Sequence, residues 1–245
     1  MADYETRTVR SGTTAAAVDE GLRAHMLRVY NYMLVGLGLT GATAWLTANT
    51  ALKDIFFAYI PQANAYGPTL LGYVAIFAPL AFVLFLSFRI QRLSFSAAQT
   101  TFWAYAAVMG ISIASILLNF TGASVARVFF ITAATFGAMS LYGYTTKRDL
   151  SGWGSFLFMG LIGIILAMIV NMFLVSTMMH FVISVIGVVV FVGLTAYDTQ
   201  RIKEIYFEGD GTEVAGKKAI MGALRLYLDF INLFIMLMQL LGNRR

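Results

Sequence analysis

The chain has 245 residues, 59% of them hydrophobic and only 12% charged, against roughly 25% charged in an ordinary soluble domain. That composition leaves too little polar surface to cover a water-soluble core, and it excludes a soluble-domain reading. The net charge of +5 does not indicate nucleic acid, because the 17 basic residues sit mostly between apolar blocks, as membrane topology requires.

Cysteine is absent, which rules out disulfides, thiol catalysis and cysteine-based metal sites. Residues 1–24 are polar and mixed in charge. They lack the apolar run of a signal peptide and are expected to form a disordered cytoplasmic tail. Asp19 and Glu20 are placed to start a surface helix carrying Arg23, His25 and Arg28. Residues 25–245 are expected to form one all-α domain, a seven-helix transmembrane bundle.

The first apolar block covers about 29–48 and is followed by a loop with Lys53, Asp54, Pro61 and Pro68. Phe56, Phe57 and Tyr59 in that loop suit a membrane interface. Further spans are expected near 68–88, with Pro79 inside, 97–119, 126–145, 153–174 and 176–199. These blocks have the length, about 20 residues, that crosses a hydrocarbon core of roughly 30 Å. A charged loop from Arg201 to Lys218 leads to a last block near 219–241. Only about 16 residues of it follow Arg225, roughly 24 Å of helix, so the last helix is expected to be short. Small residues such as Gly36, Gly38, Gly41, Gly160 and Gly163 allow close helix approach in lipid.

Basic residues fall in alternate loops. One side holds Arg7, Arg10, Arg23 and Arg28, then Arg89 and Arg92, Lys147 and Arg148, and Arg201, Lys203, Lys217 and Lys218; the other holds Lys53 and Arg127. This bias puts the N-terminus in the cytoplasm. Arg244 and Arg245 break the pattern, so the last segment either crosses against the rule or re-enters.

Ten of the twelve acidic residues lie in the tail or loops; Asp198 and Asp229 lie within apolar segments. A carboxylate at membrane depth is costly and usually faces a bundle interior or water cavity, where it carries function. Asp198 is three residues before Arg201 and Asp229 four residues after Arg225. If both arginines snorkel to one interface, each aspartate lies about one turn inside it, on consecutive antiparallel helices. Carboxylates that meet there should share a proton, which makes a pH sensor. When ionised they offer oxygens to a cation, and with Asn232, backbone carbonyls and water they make at most a weak calcium site. The plainer alternative is that each aspartate pairs with a nearby arginine and staples the helix ends. A pair that breaks on protonation is also a latch, with Arg89 as the partner of choice.

The run Tyr197-Asp198-Thr199-Gln200-Arg201-Ile202, the loop Gly209-Asp210-Gly211 and the run Leu226-Tyr227-Leu228-Asp229-Phe230-Ile231-Asn232-Leu233-Phe234, in this order, resemble the transmembrane Bax-inhibitor-motif (Bax inhibitor/YccA) family. The resemblance covers about residues 20–241 and looks bacterial in type. It implies a bundle around a central sixth helix, a pH-sensitive calcium leak, and a di-aspartyl sensor at Asp198 and Asp229. It implies no enzyme activity and no tightly bound cofactor. The expected supporting residues are Arg89, Arg201, Arg225, Tyr197 and Asn232, and the expected location is the bacterial inner membrane. Some relatives modulate a membrane-bound ATP-dependent protease. A non-transporting regulator that binds such a protease is therefore the alternative, testable by deleting residues 1–18.

Other readings fail on the residues. A microbial rhodopsin needs a lysine in its last span, and Lys53, Lys147, Lys203, Lys217 and Lys218 are all at loops or interfaces. An intramembrane aspartyl protease needs Gly-x-Gly-Asp and a later Pro-Ala-Leu, but Asp229 follows Leu228 and no proline follows Pro79. A zinc hydrolase has only His25 and His180 to offer, too few for the metal.

Overall fold

A computed structural model describes residues 2–245, with side chains described from Glu20 onward. The tail expected over 1–24 therefore lies, up to residue 19, outside the fully described part; residues 20–24 are helical. The chain runs as α1 (Ala2–Asn49), α2 (Leu52–Phe56), β1 (Phe57–Ile60), a 3₁₀ turn (Pro61–Ala63), β2 (Ala65–Pro68), α3 (Leu70–Arg89), α4 (Phe95–Asn119), α5 (Gly122–Thr145), α6 (Ser151–Leu174), α7 (Thr177–Glu204) and α8 (Thr212–Leu241).

Among the described residues six helices, α3 to α8, are long and apolar enough to cross a membrane. The first expected span lies within α1, which is not among those six. Short polar residues start several of them. Thr69, Ser94 and Ser176 accept hydrogen bonds from the backbone N–H groups of Gly72, Ala97 and Met179 at 3.1–3.3 Å, which satisfies donors that a helix start leaves unpaired. Many large apolar side chains face outward, including Phe88, Phe173 and Leu70, the surface a lipid solvent favours.

The loop after α1 contains structure that its composition did not disclose. β1 and β2 form an antiparallel hairpin with Tyr59 opposite Tyr66, and Asn64 turns it in the left-handed region at φ 46°, which asparagine tolerates. The hairpin is held from outside: Asn119 of α4 accepts from Tyr66 N at 2.8 Å and donates to Tyr66 O at 3.0 Å.

The centre of the bundle is α8, not the sixth span. In the most apolar stretch of α8, 72% of the residues are buried, against 33% for α7. The physical reason lies in the α8 sequence. Gly216, Ala219, Gly222 and Ala223 give it a slim first half, while Leu226, Tyr227, Leu233 and Met238 fill the space between α1, α4, α5 and α7. Nor is α8 short. It starts at Thr212 and has 30 residues, about 45 Å at 1.5 Å per residue.

α8 is also unbroken, and it does not fold back. At its start Lys217 donates to Leu93 O and Lys218 to Ile205 O. At its end the tail reaches the α4–α5 turn: Thr121 N donates to Asn243 O, Arg245 N donates to Asn119 O, and Arg127 donates to Leu241 O. One end of the bundle, the basic end, therefore gathers the loops at 90–94, 146–150 and 205–211. The opposite end gathers the hairpin and the tail.

Two helix crossings depend on glycine. A Cβ on Gly110 would lie 2.4 Å from Thr40 O, and one on Gly143 would lie 2.2 Å from Ala196 O. Backbones in contact at this range set the α1–α4 and α5–α7 distances.

Candidate functional site

α7 and α8 bring Asp198 and Asp229 together. The two side chains face each other within hydrogen-bonding reach. Asp229 is 4% exposed and the Asp198 side chain 15%, so the pair is almost dry. Oδ2 of Asp229 finds no donor among the described residues. Asp198 already faces the Arg225 guanidinium, so a single proton belongs on Asp229, whose carboxyl can then donate to Asp198. A buried acceptor without a donor is costly, so the arrangement fits two carboxyl groups that share one proton.

The cation beside the pair is Arg225, whose Nη1 lies 3.6 Å from Asp198 Oδ1. Arg225 precedes Asp229 by four residues, one turn of α8, so both project toward α7. Arg89 does not reach the pair. It is exposed at the end of α3, and α3 packs on α4, which turns this arginine away from α7 and α8. Arg201 pairs instead with Glu204 at 3.2 Å on the surface. Asn232 lies one turn beyond Asp229 and donates to Leu228 O at 2.9 Å. Tyr197 packs its ring over Gly154, where a Cβ would come within 2.5 Å, so it fixes α6 against α7. His180 donates its backbone N–H to Ser176 O in the first turn of α7.

Several polar contacts around the pair were not singled out from the sequence. Ser140 of α5 bonds Thr199 at 2.9 Å and Tyr30 of α1 at 2.6 Å, joining three helices beside Asp198. Gln200 accepts from Leu150 N at 2.8 Å and donates to Arg148 O at 2.9 Å, clamping the α5–α6 turn to α7. Tyr227, two residues after Arg225, bonds Thr40 at 2.6 Å. Only the intramembrane position of these hydroxyls was readable in advance; their partners lie 59–187 residues away.

Among the described residues no cluster of three or more His, Asp or Glu side chains forms a metal site. The pair supplies two carboxylates, and one already faces a guanidinium. That donor set falls short of the six to eight oxygens that calcium takes. With one shared proton, the pair and Arg225 sum to zero charge. With none, the site is negative by one unit.

The sequence model of the family described as "Inhibitor of apoptosis-promoting Bax1" matches residues 22–245. The chain belongs to the Bax inhibitor family. Among the relatives, an uncharacterized protein of Rickettsia prowazekii (strain Madrid E) is 47% identical over 245 residues, covering 100% of both chains. The inner membrane protein YbhL of Escherichia coli (strain K12) is 49% identical over 228 residues, covering 92% of this chain and 94% of that one. An uncharacterized protein of Caulobacter vibrioides is 43% identical over 241 residues, covering 98% and 96%. This member of the Bax inhibitor family is a membrane protein whose similarity to its relatives spans both Asp198 and Asp229.

Proposed function

We propose that this protein is a pH-sensitive cation leak, with calcium as the transported ion and the Asp198–Asp229 pair as its sensor. The supporting observation is the dry, facing pair of carboxyls with an orphaned oxygen on Asp229 and Arg225 at its edge. While a proton is shared, the pair joins α7 to α8 and the site carries no net charge. When that proton leaves, two carboxylates repel across the α7–α8 contact. The contact loosens, and the negative site attracts a cation. Flux then rises with pH. No step needs a resident cofactor or a catalytic residue, and the protein acts as a non-enzyme.

The similarity to the inner membrane protein YbhL supports a location in the bacterial inner membrane. The basic loops at one end of the bundle support a cytoplasmic N-terminus, with α1 as a seventh crossing helix.

The test is calcium flux through purified protein in sealed liposomes as the pH is stepped. Flux should rise with pH, and Asp198→Asn or Asp229→Asn should each remove the pH dependence. Folded protein in liposomes that stay sealed at every pH overturns the reading.

A further inference from the structure

A second feature lies away from the carboxyl pair. A cleft of about 940 Å³ opens between α1 and α5, with Phe230 of α8 among its walls. Its size falls at the upper end of pockets that hold small molecules, about 300–1,000 Å³. We propose that this cleft binds one anionic phospholipid of the surrounding bilayer, headgroup at the basic end and one acyl chain laid along α1 and α5.

The polarity of the lining is graded along the cleft. Arg23 and Tyr144 stand at the basic end. Lys203 adds a second cation there, donating to Tyr144 O at 3.0 Å with its Nζ 5.6 Å from the ring centre. Among the described residues no lining side chain is acidic, so the end that meets a phosphate is positive. Seven residues further along α1, about 10 Å, the hydroxyls of Tyr30 and Ser140 meet at 2.6 Å, at a depth suited to ester oxygens. Beyond them the walls are wholly apolar, among them Leu34, Leu37, Ala133 and Phe129. Cation, hydroxyl and hydrocarbon follow one another in the order a phospholipid presents them.

The space is kept open by absent side chains. Gly38, Gly41 and Gly137 line the cleft, and a Cβ at any of them would meet no atom within 4 Å. They are not helix-crossing glycines, since among the described residues no other helix comes within 4 Å of a Cβ placed there. From Arg23 to Gly41 the α1 wall spans 18 residues, about 27 Å. That exceeds the half-thickness of a roughly 30 Å hydrocarbon core, so a whole acyl chain has a wall to lie on.

Native mass spectrometry of the full-length protein in detergent, with added phosphatidylglycerol or phosphatidylethanolamine, tests the site. One lipid per chain should be retained through delipidation, phosphatidylglycerol in preference. Arg23→Gln should cut that preference about fivefold, the share one basic residue contributes to attraction for anionic lipid. Gly137→Leu should abolish retention of both lipids while leaving the helical circular dichroism unchanged. Gly137→Cys, in a chain that otherwise has no cysteine, gives a gentler variant; phosphatidylglycerol should slow its labelling by a maleimide. Failure to retain lipid, retention unaltered by Gly137→Leu, or a preference unaltered by Arg23→Gln overturns the proposal. So does disulfide linking of two chains through Gly137→Cys, which would seat a second copy in the cleft. Calcium flux is not part of the readout, so this outcome is separable from that of the leak.

Discussion

Arg225→Gln removes the cation held against Asp198 and leaves both carboxyls in place. At 3.6 Å, a full ion pair is worth about 4–5 kcal/mol at an effective dielectric near 20. The Arg225 side chain is 52% exposed, however, and solvent screening at such sites reduces the value to the order of 1 kcal/mol. Arg225 already faces one negative charge while a proton is shared, and it also attracts the second charge that deprotonation adds, so its loss makes deprotonation harder. Since one pH unit corresponds to 1.36 kcal/mol, the flux–pH curve should move upward, by at most about 0.7 unit. Arg225→Lys keeps the charge but not the guanidinium, and should move the curve less. The assay is calcium entry into liposomes at half-unit steps of pH, with equal protein incorporation. A curve that stays in place, or moves to lower pH, refutes the electrostatic role given to Arg225.

Gly143→Val puts a side chain against the Ala196 carbonyl, 2.2 Å from the new Cβ, and backbone cannot give way cheaply. Overpacking of this kind costs about 1–3 kcal/mol and should lower the midpoint of thermal unfolding in detergent. Val175, at the α6–α7 turn, holds φ 48°, a conformation that costs a β-branched residue about 1–2 kcal/mol. Val175→Asn should therefore raise the unfolding midpoint. His25 is buried, with Tyr206, Arg28, Lys218 and Asp210 around it. Burial first, then Arg28 and Lys218, holds its pKa below 6.5, against a smaller opposing pull from Asp210. The folded state then binds its proton less readily than the unfolded chain, so stability is lost as pH falls below about 6.5. Thermal midpoints between pH 7.5 and 5.5 should fall further for the native protein than for His25→Gln; equal losses would remove His25 from the account.

Hydrophobic block length made the spans readable, because a bilayer imposes a length that a soluble core does not. Position within the bundle was not readable in the same way. α6 and α8 are both apolar, yet α6 sits at the periphery and α8 at the centre, a difference set by small residues on α8 that become meaningful only once α1, α4, α5 and α7 surround it. Choosing the arginine failed for a related reason. Depth along a helix follows from counting residues, and Arg89 and Arg225 share a depth. Direction around the bundle depends on packing, and only Arg225 carries a local cue, its four-residue spacing from Asp229 on the same face. The hairpin at 57–68 escaped because Asn119, some fifty residues away, ties down strands of four residues each.

The position of α8 has a consequence for how the protein is made. The helix at the centre, α8, is made after α1, α4, α5 and α7, the helices it packs against. Until it arrives, α1, α4, α5 and α7 have entered the bilayer around a missing centre, and Arg225 and Asp229 have yet to meet Asp198. Closure of the bundle centre and completion of the carboxyl pair thus wait for α8. A chain that stops before Thr212 should keep the α1–α4 and α5–α7 pairs but leave them without a common core, a product that quality control can distinguish by its loose interior.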